Sequence, residues 1–388
     1  MKIGKWAWLL AATAFLSGCG NFWQPPSGTS STTTTTSTAS SGVFYVADQA
    51  TDQIAAYSIV SGVLTPVSGS PYTIPGPSAP LALAVAPNGS FLYVGTANGI
   101  FLYTIGSGGA LTVGNSGSSI SGEPAAAMQV DSTDSWLVAA FPAAGGVALE
   151  AIAISPTTGL VASLASPSVT LSGTTVFQLA ISPDNDNMFV ALGSGGTEKV
   201  AFNSGSGTPF VSEKNIPVAN SAGAAVSVAV DPQNRMVYIG ETAATPAPNS
   251  GGVRAFNYST MTEISGSPYV SGGLAPYAIL PLSSGSYVYV ANRTVSGSSD
   301  GNIAGFAVAT TGSTYSLTAL SDTAAAGIDP VSMAADPDGN YLFVVDSGGS
   351  PDLEAYTFDS TTAGKLDSAL TGATGTDPAQ ASAIAVTP

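Results

Sequence analysis

The 388-residue chain contains no histidine. Serine triads and cysteine–histidine pairs both take their proton relay from an imidazole, so neither arrangement can be built here. Basic side chains are nearly as scarce: eight lysines and arginines stand against 24 aspartates and glutamates, for a formal charge of −16. Nucleic-acid binding needs a cationic face that displaces counterions, and so few scattered cations cannot make one. The same shortage excludes electrostatic adhesion to an anionic lipid surface. The apolar run near the start, WAWLLAATAF, has ten residues, and a helix needs about twenty to cross a bilayer. Against these absences stand 44% hydrophobic residues, 45 glycines and many serines and threonines. Polarity supplied by turns and hydroxyls rather than charge points to a β-rich, turn-rich chain, long enough to bury a substantial core.

The first residues read as an export signal: Lys2 and Lys5, the apolar run, then Leu16, Ser17, Gly18 and Cys19. That ending resembles the lipobox of bacterial lipoproteins, and Cys19 is the sole cysteine. The resemblance implies a signal peptide at 1–18 and a diacylated Cys19 as the first mature residue. Gly20 follows rather than an aspartate, which by analogy with Gram-negative lipoproteins implies the outer membrane. Residues 19–42 then hold the lipidated cysteine and a Ser/Thr-rich tether, with no apolar residue able to join a core from residue 24 on. Loss of Lys2 and Lys5 leaves six basic residues against 24 acidic, a formal charge of −18. The lipid is then the only membrane contact, and soft-metal sites such as zinc have no ligands left.

A short β-branched and aromatic word recurs seven times: FYVAD, FLYVGT, WLVAAF, MFVALG, MVYIGE, YVYVAN and YLFVVD. Aligned at Tyr45, Tyr93, Val138, Phe189, Tyr238, Tyr289 and Phe343, the words are spaced by 48, 45, 51, 49, 51 and 54 residues. An apolar strand and a Pro-Asn-Gly or Pro-Asp-Gly turn precede several of them, as in LALAVAPNGS and VSMAADPDGN. A third strand follows, as at Ile54 to Tyr57 and Leu353 to Tyr356, then a weaker fourth. The word SGSPY, at 68–72 and again at 265–269, lies 197 residues apart, close to four periods, and reads as the outer-strand exit of repeats one and five. Four antiparallel strands in about 50 residues, repeated seven times, predict an all-β, seven-bladed β-propeller over 43–388. The nearly continuous apolar first strand is expected to line the axis, buried on both faces. The C-terminal strand ASAIAVTP has no partner after it, so it is expected to join the N-terminal blade and close the ring. Removing residues 381–388 should therefore unfold the whole ring, which a melting curve would reveal.

The YVAN word, the AVAPNGSFLYV run and the SGSPY exits resemble YVTN-repeat and lactonase-type seven-bladed propellers. The resemblance implies the fold and a lactonase-like hydrolase, or its inactive descendant, of the 6-phosphogluconolactonase type. Related enzymes rely on histidine, arginine and glutamate near the channel mouth, and the histidine is missing here.

The loops leaving each second strand and leading into each first strand collect Asp48, Asp52, Glu123, Glu198, Glu241, Asp300, Asp329, Asp346, Asp352 and Asp377, against Lys199 and Arg293. Such a face attracts cations and repels phosphorylated or carboxylated substrates. Lactone opening needs a base and an oxyanion donor, and Glu241 with Arg293 is the catalytic pair that adjacent blades offer. Asp48, Glu241 and Asp346 are the candidate Ca²⁺ ligands, although no cofactor is required. Asp184, Asp186, Asp336 and Asp338 read as turn formers. The leading expectation is a monomeric, lipid-anchored envelope protein whose acidic face binds a protein or glycan partner, with the hydrolase as the alternative.

Overall fold

The computed structural model describes residues 42–388 apart from 61–62, 77, 164–165, 313, 350, 368–369 and 372–377. Cys19, the signal segment and the tether up to residue 41 lie outside the described residues, as does Asp377.

The second strand of each repeat shows why its word is continuously apolar. Along Val43–Asp48 side chains alternate between two faces. Tyr45 and Ala47 enter a hydrophobic layer shared with repeat two, while Phe44 and Val46 enter one shared with repeat seven. Both faces are buried, so neither can be polar. The same holds in Phe91–Thr96 and Met236–Glu241. Seven such layers occur, one between each pair of neighbouring repeats, repeat seven against repeat one included.

The inner strands Ala381–Val386, Pro80–Val85, Ala127–Val130, Gln178–Ile181, Ala225–Val230, Pro276–Pro281 and the end of Thr314–Ala335 neighbour one another in that order, the last returning to the first. The circuit closes through the C-terminus: Ala381–Val386 pairs antiparallel with Val43–Asp48, with Tyr45 opposite Ala385. Among the described residues there is no α-helix, only two short 3₁₀ turns.

Two expectations need correction. Hydrogen bonding delimits six sheets rather than seven, because the strand Thr314–Ala335 pairs with Asp300–Thr311 along its first part and with Tyr341–Gly348 along its last. Ile328 pairs with Asp300 on one side and with Gly348 on the other, so repeats six and seven join in one seven-stranded sheet. Four of the other sheets have four strands, and the sheet of repeat one has five. Six of the seven inner strands, moreover, are not buried on both faces, Ala225–Val230 being the exception. Leu81, Val85, Gln129 and Leu280 are half-exposed, because one face of an inner strand looks onto the axis; full double burial belongs to the second strand.

Tyrosines latch the repeats together. The hydroxyls of Tyr45, Tyr93 and Tyr289 donate to the carbonyls of Gly109, Gly159 and Gly364 in the next repeat, at 2.9, 2.9 and 2.6 Å. Each of these glycines has positive φ, and a Cβ on Gly159 would stand 2.7 Å from the Phe91 ring, so only glycine fits. The two SGSPY words also act alike. Ser70 and Ser267 Oγ accept the N–H groups of Ala56 and Ala255 in the third strand, at 2.8 and 3.1 Å. Tyr72 and Tyr269 donate back to the carbonyls of Ser68 and Ser265. The turn-forming aspartates behave as read: Asp184 accepts from Ser182 Oγ and the Asp186 N–H, and Asp336 accepts the Tyr341 N–H at 2.6 Å.

Candidate functional site

The loops at the mouth of the ring use most of their acids as braces. Asp52 Oδ1 accepts the N–H groups of Ser78 and Ala79, at 3.2 and 2.6 Å, and so holds the lead-in to the inner strand of repeat two. Asp352 Oδ2 does the same for the Gln380 N–H at 2.7 Å, ahead of the closing strand. Glu198 accepts from Ser172 and Asn215, and Asp48 from the Thr51 N–H. Glu123 and Asp300 are left exposed.

The two residues paired in the sequence reading belong to different networks. Glu241 ends the strand Met236–Glu241 and is only 1% exposed. Its carboxylate accepts the Ala219 N–H at 2.8 Å and meets Arg254 at 3.0 Å. Arg254 also pairs with Glu263 at 2.7 Å and donates to the Pro217 carbonyl at 2.7 Å. Burial pushes the Glu241 carboxyl above its ordinary range, against the pull of the Ala219 N–H and Arg254. A buried carboxylate so held braces a loop and is not placed to meet a substrate.

Arg293 instead forks onto Asp329, Nε to Oδ1 at 3.0 Å and an Nη to Oδ2 at 3.2 Å. Asp329 above all, against partial burial, holds the guanidinium firmly charged. Both side chains remain about one-third exposed, at 35% and 34%. The guanidinium lies 4.9 Å from the centre of the Tyr277 ring, and Tyr277 meets Phe177 edge-on at 5.7 Å. Phe177 belongs to repeat four and Tyr277 to repeat six. Repeats four and six flank repeat five, so this contact bridges the inner end of repeat five at the channel mouth. A register shift between Pro276 and Ala278 puts Tyr277 at a bulge, the device that re-aims a side chain. Asp329, with φ of 58°, sits in the left-handed region just before Pro330. Phe177, Tyr277 and the Arg293–Asp329 pairing were missed in the sequence; the Ala-Pro pair at 275–276, ten residues beyond SGSPY, was the available signal for Tyr277.

Asp346 lies behind this group, fully buried at 0% exposure, with neither carboxyl oxygen in hydrogen-bond geometry with a donor. Burial first, then Glu354 and Asp352, push its carboxyl from 3.8 up to about 8. The calcium reading fares poorly. Asp48, Glu241 and Asp346 occupy corresponding ends of second strands, opposite Ala381, Ala225 and Pro330, but on repeats one, five and seven. Among the described residues no three such side chains gather to hold a metal ion. A cavity also lies elsewhere, between repeats six and seven beside Tyr289, Leu320 and Lys365.

The family model for the lactonase seven-bladed β-propeller matches residues 79–380. No curated protein matches the chain. Among solved structures, a putative 6-phosphogluconolactonase from Bacteroides fragilis superposes with a TM-score of 0.69 at 16% identity, covering 92% of this chain and 99% of its own. A periplasmic gluconolactonase from Pseudomonas aeruginosa gives 0.66 at 14% identity, covering 89% and 99%. These likenesses carry the fold, while the family match extends over most of the repeats. By its inner-strand circuit, its tyrosine-latched repeats and that match, the chain belongs to the lactonase family of seven-bladed β-propellers.

Proposed function

We propose that this chain hydrolyses sugar lactones at the channel mouth of a seven-bladed ring, the fused sheet counting as two blades. The observation that carries the reading is the Arg293–Asp329 fork laid on Tyr277, half-open to solvent where the axis emerges. Family membership favours this hydrolase over the acidic binding platform.

The chemistry follows from the groups present. Without histidine, a carboxylate is the base at hand, and at the mouth Asp329 is both partly exposed and held beside a cation. Asp329 takes a proton from water as the water oxygen attacks the lactone carbonyl carbon. Arg293 donates to the oxygen on which negative charge develops. The ring carbon–oxygen bond then breaks, the proton passes from Asp329 to the leaving alkoxide, and the open hydroxy acid is released as its carboxylate. Tyr277 and Phe177 offer apolar faces to the sugar ring.

Proton release from a panel of sugar lactones, corrected for spontaneous opening, tests this. Turnover that falls with Arg293→Ala and Asp329→Asn is the expected result; turnover indifferent to both would move the site elsewhere. In the same reading, lipid on Cys19 tethers the enzyme in the cell envelope, which the mass of the N-terminal peptide from membrane-extracted protein would check.

A further inference from the structure

We infer that the substrate is an uncharged sugar lactone and that the channel mouth discriminates against its phosphorylated counterpart. This rests on the hydrolase reading above and specifies the charge of what that site accepts.

Cations past the export signal are few, and their locations decide the charge that the mouth presents. Six lysines and arginines remain there, and five are either bound by carboxylates or placed away from the mouth. Arg235 is paired with Asp231 at a turn between first and second strands, on the opposite face. Arg254 is locked between Glu241 and Glu263. Lys365 sits near Asp322 and Asp359 at an outer hairpin. Lys199 and Lys214 lie opposite one another on the two outermost strands of repeat four. Arg293 alone reaches the mouth, and its charge is already matched by Asp329 in a two-point fork.

A phosphate carries close to two negative charges at neutral pH. At this mouth it would find no unmatched cation to bind. Burial first, then the charges of Glu354, Asp352 and Asp329, oppose ionisation of Asp346. Those acidic neighbours would also oppose a phosphate brought close to them. An uncharged lactone meets no such opposition. Its ring can lie on Tyr277 and Phe177, and its hydroxyls can bond to Arg293 and Asp329. The acids that brace the mouth thus also set its selectivity.

The experiment compares D-glucono-1,5-lactone with its 6-phosphate in kcat/KM, and D-glucono-1,5-lactam with its 6-phosphate in binding by calorimetry. The expected result is turnover of the neutral lactone with kcat/KM roughly tenfold or more above that of the phosphate, the size that a few screened charge pairs give. The gap should narrow at high salt, as screened repulsion must. Equal or better use of the phosphorylated lactone overturns the inference and leaves the hydrolase reading intact. If neither lactone is hydrolysed but the neutral lactam alone binds, the hydrolase reading fails and the ligand assignment holds. If nothing is hydrolysed and neither lactam binds, both fall together.

Discussion

Arg254 and Arg293 stand on consecutive repeats near the same end of the ring, and their surroundings separate them. Arg254 is fully engaged: two carboxylates and the Pro217 carbonyl take up its fork, and its side chain is 10% exposed. Arg293 makes one two-point contact, stacks on one ring and keeps a third of its surface in water. One arginine holds loops together; the other can exchange part of its contact for a substrate. Residue type does not distinguish them. The number of partners that the neighbouring loops supply does.

Removing the guanidinium of Arg254 should cause the largest loss of stability, because it leaves Glu241 buried without its cation. Arg254→Ala is expected to lower unfolding stability by about 3 kcal/mol or more, read from the urea midpoint. A loss below about 1 kcal/mol would erase the contrast between the two arginines. Asp346 should act in the opposite direction. Its raised carboxyl binds a proton in the folded chain up to about pH 8, whereas the unfolded chain loses it near 3.8. Between those values the native state binds more protons, so stability falls as pH rises. Asp346→Asn removes that loss. Its advantage over the parent should be small at about pH 4 and grow to on the order of 5 kcal/mol by about pH 8.5. Thermal melts at the two pH values check this, and an advantage that does not change with pH would refute the buried-acid account.

Arg293→Ala should reverse the pattern shown by Arg254. Its stability is expected to change by less than about 1 kcal/mol, while lactone turnover drops about a hundredfold. Similar stability losses at both arginines would blur the distinction drawn here. The smallest effect belongs to the latches, remote from both. Tyr93→Phe removes one buried donor to the Gly159 carbonyl, for about 1 kcal/mol. It should leave turnover per folded molecule unchanged, so parallel urea and activity measurements would show whether the latch acts only on stability.

The repeat words carried the architecture because each residue in them answers to a local rule. Tyr45 and Phe44 are adjacent in sequence and serve opposite hydrophobic layers, so the word had to be apolar throughout. The unpartnered closing strand could be read from ASAIAVTP for the same reason. The fusion of repeats six and seven could not, because pairing along Thr314–Ala335 depends on strands on both of its sides.

The site was only half legible. Arg293 was identified and Glu241 was paired with it, since both follow a second strand. Arg254 went unnoticed because it lies within the third strand Gly252–Asn257, which reads as structural. Tyr277 and Phe177 carried no charge to draw attention, and they meet only because the ring brings repeats four and six together over repeat five.

By itself, then, the sequence determined the all-β repeat, the closing strand and the exclusion of histidine chemistry. These follow from side-chain period, turn chemistry and composition, which need no knowledge of distant neighbours. Only the tertiary structure decided which carboxylate each arginine holds and which aromatic rings share the mouth. Ion pairs and ring contacts form between residues tens of positions apart, and their partners are chosen by distance in the folded ring.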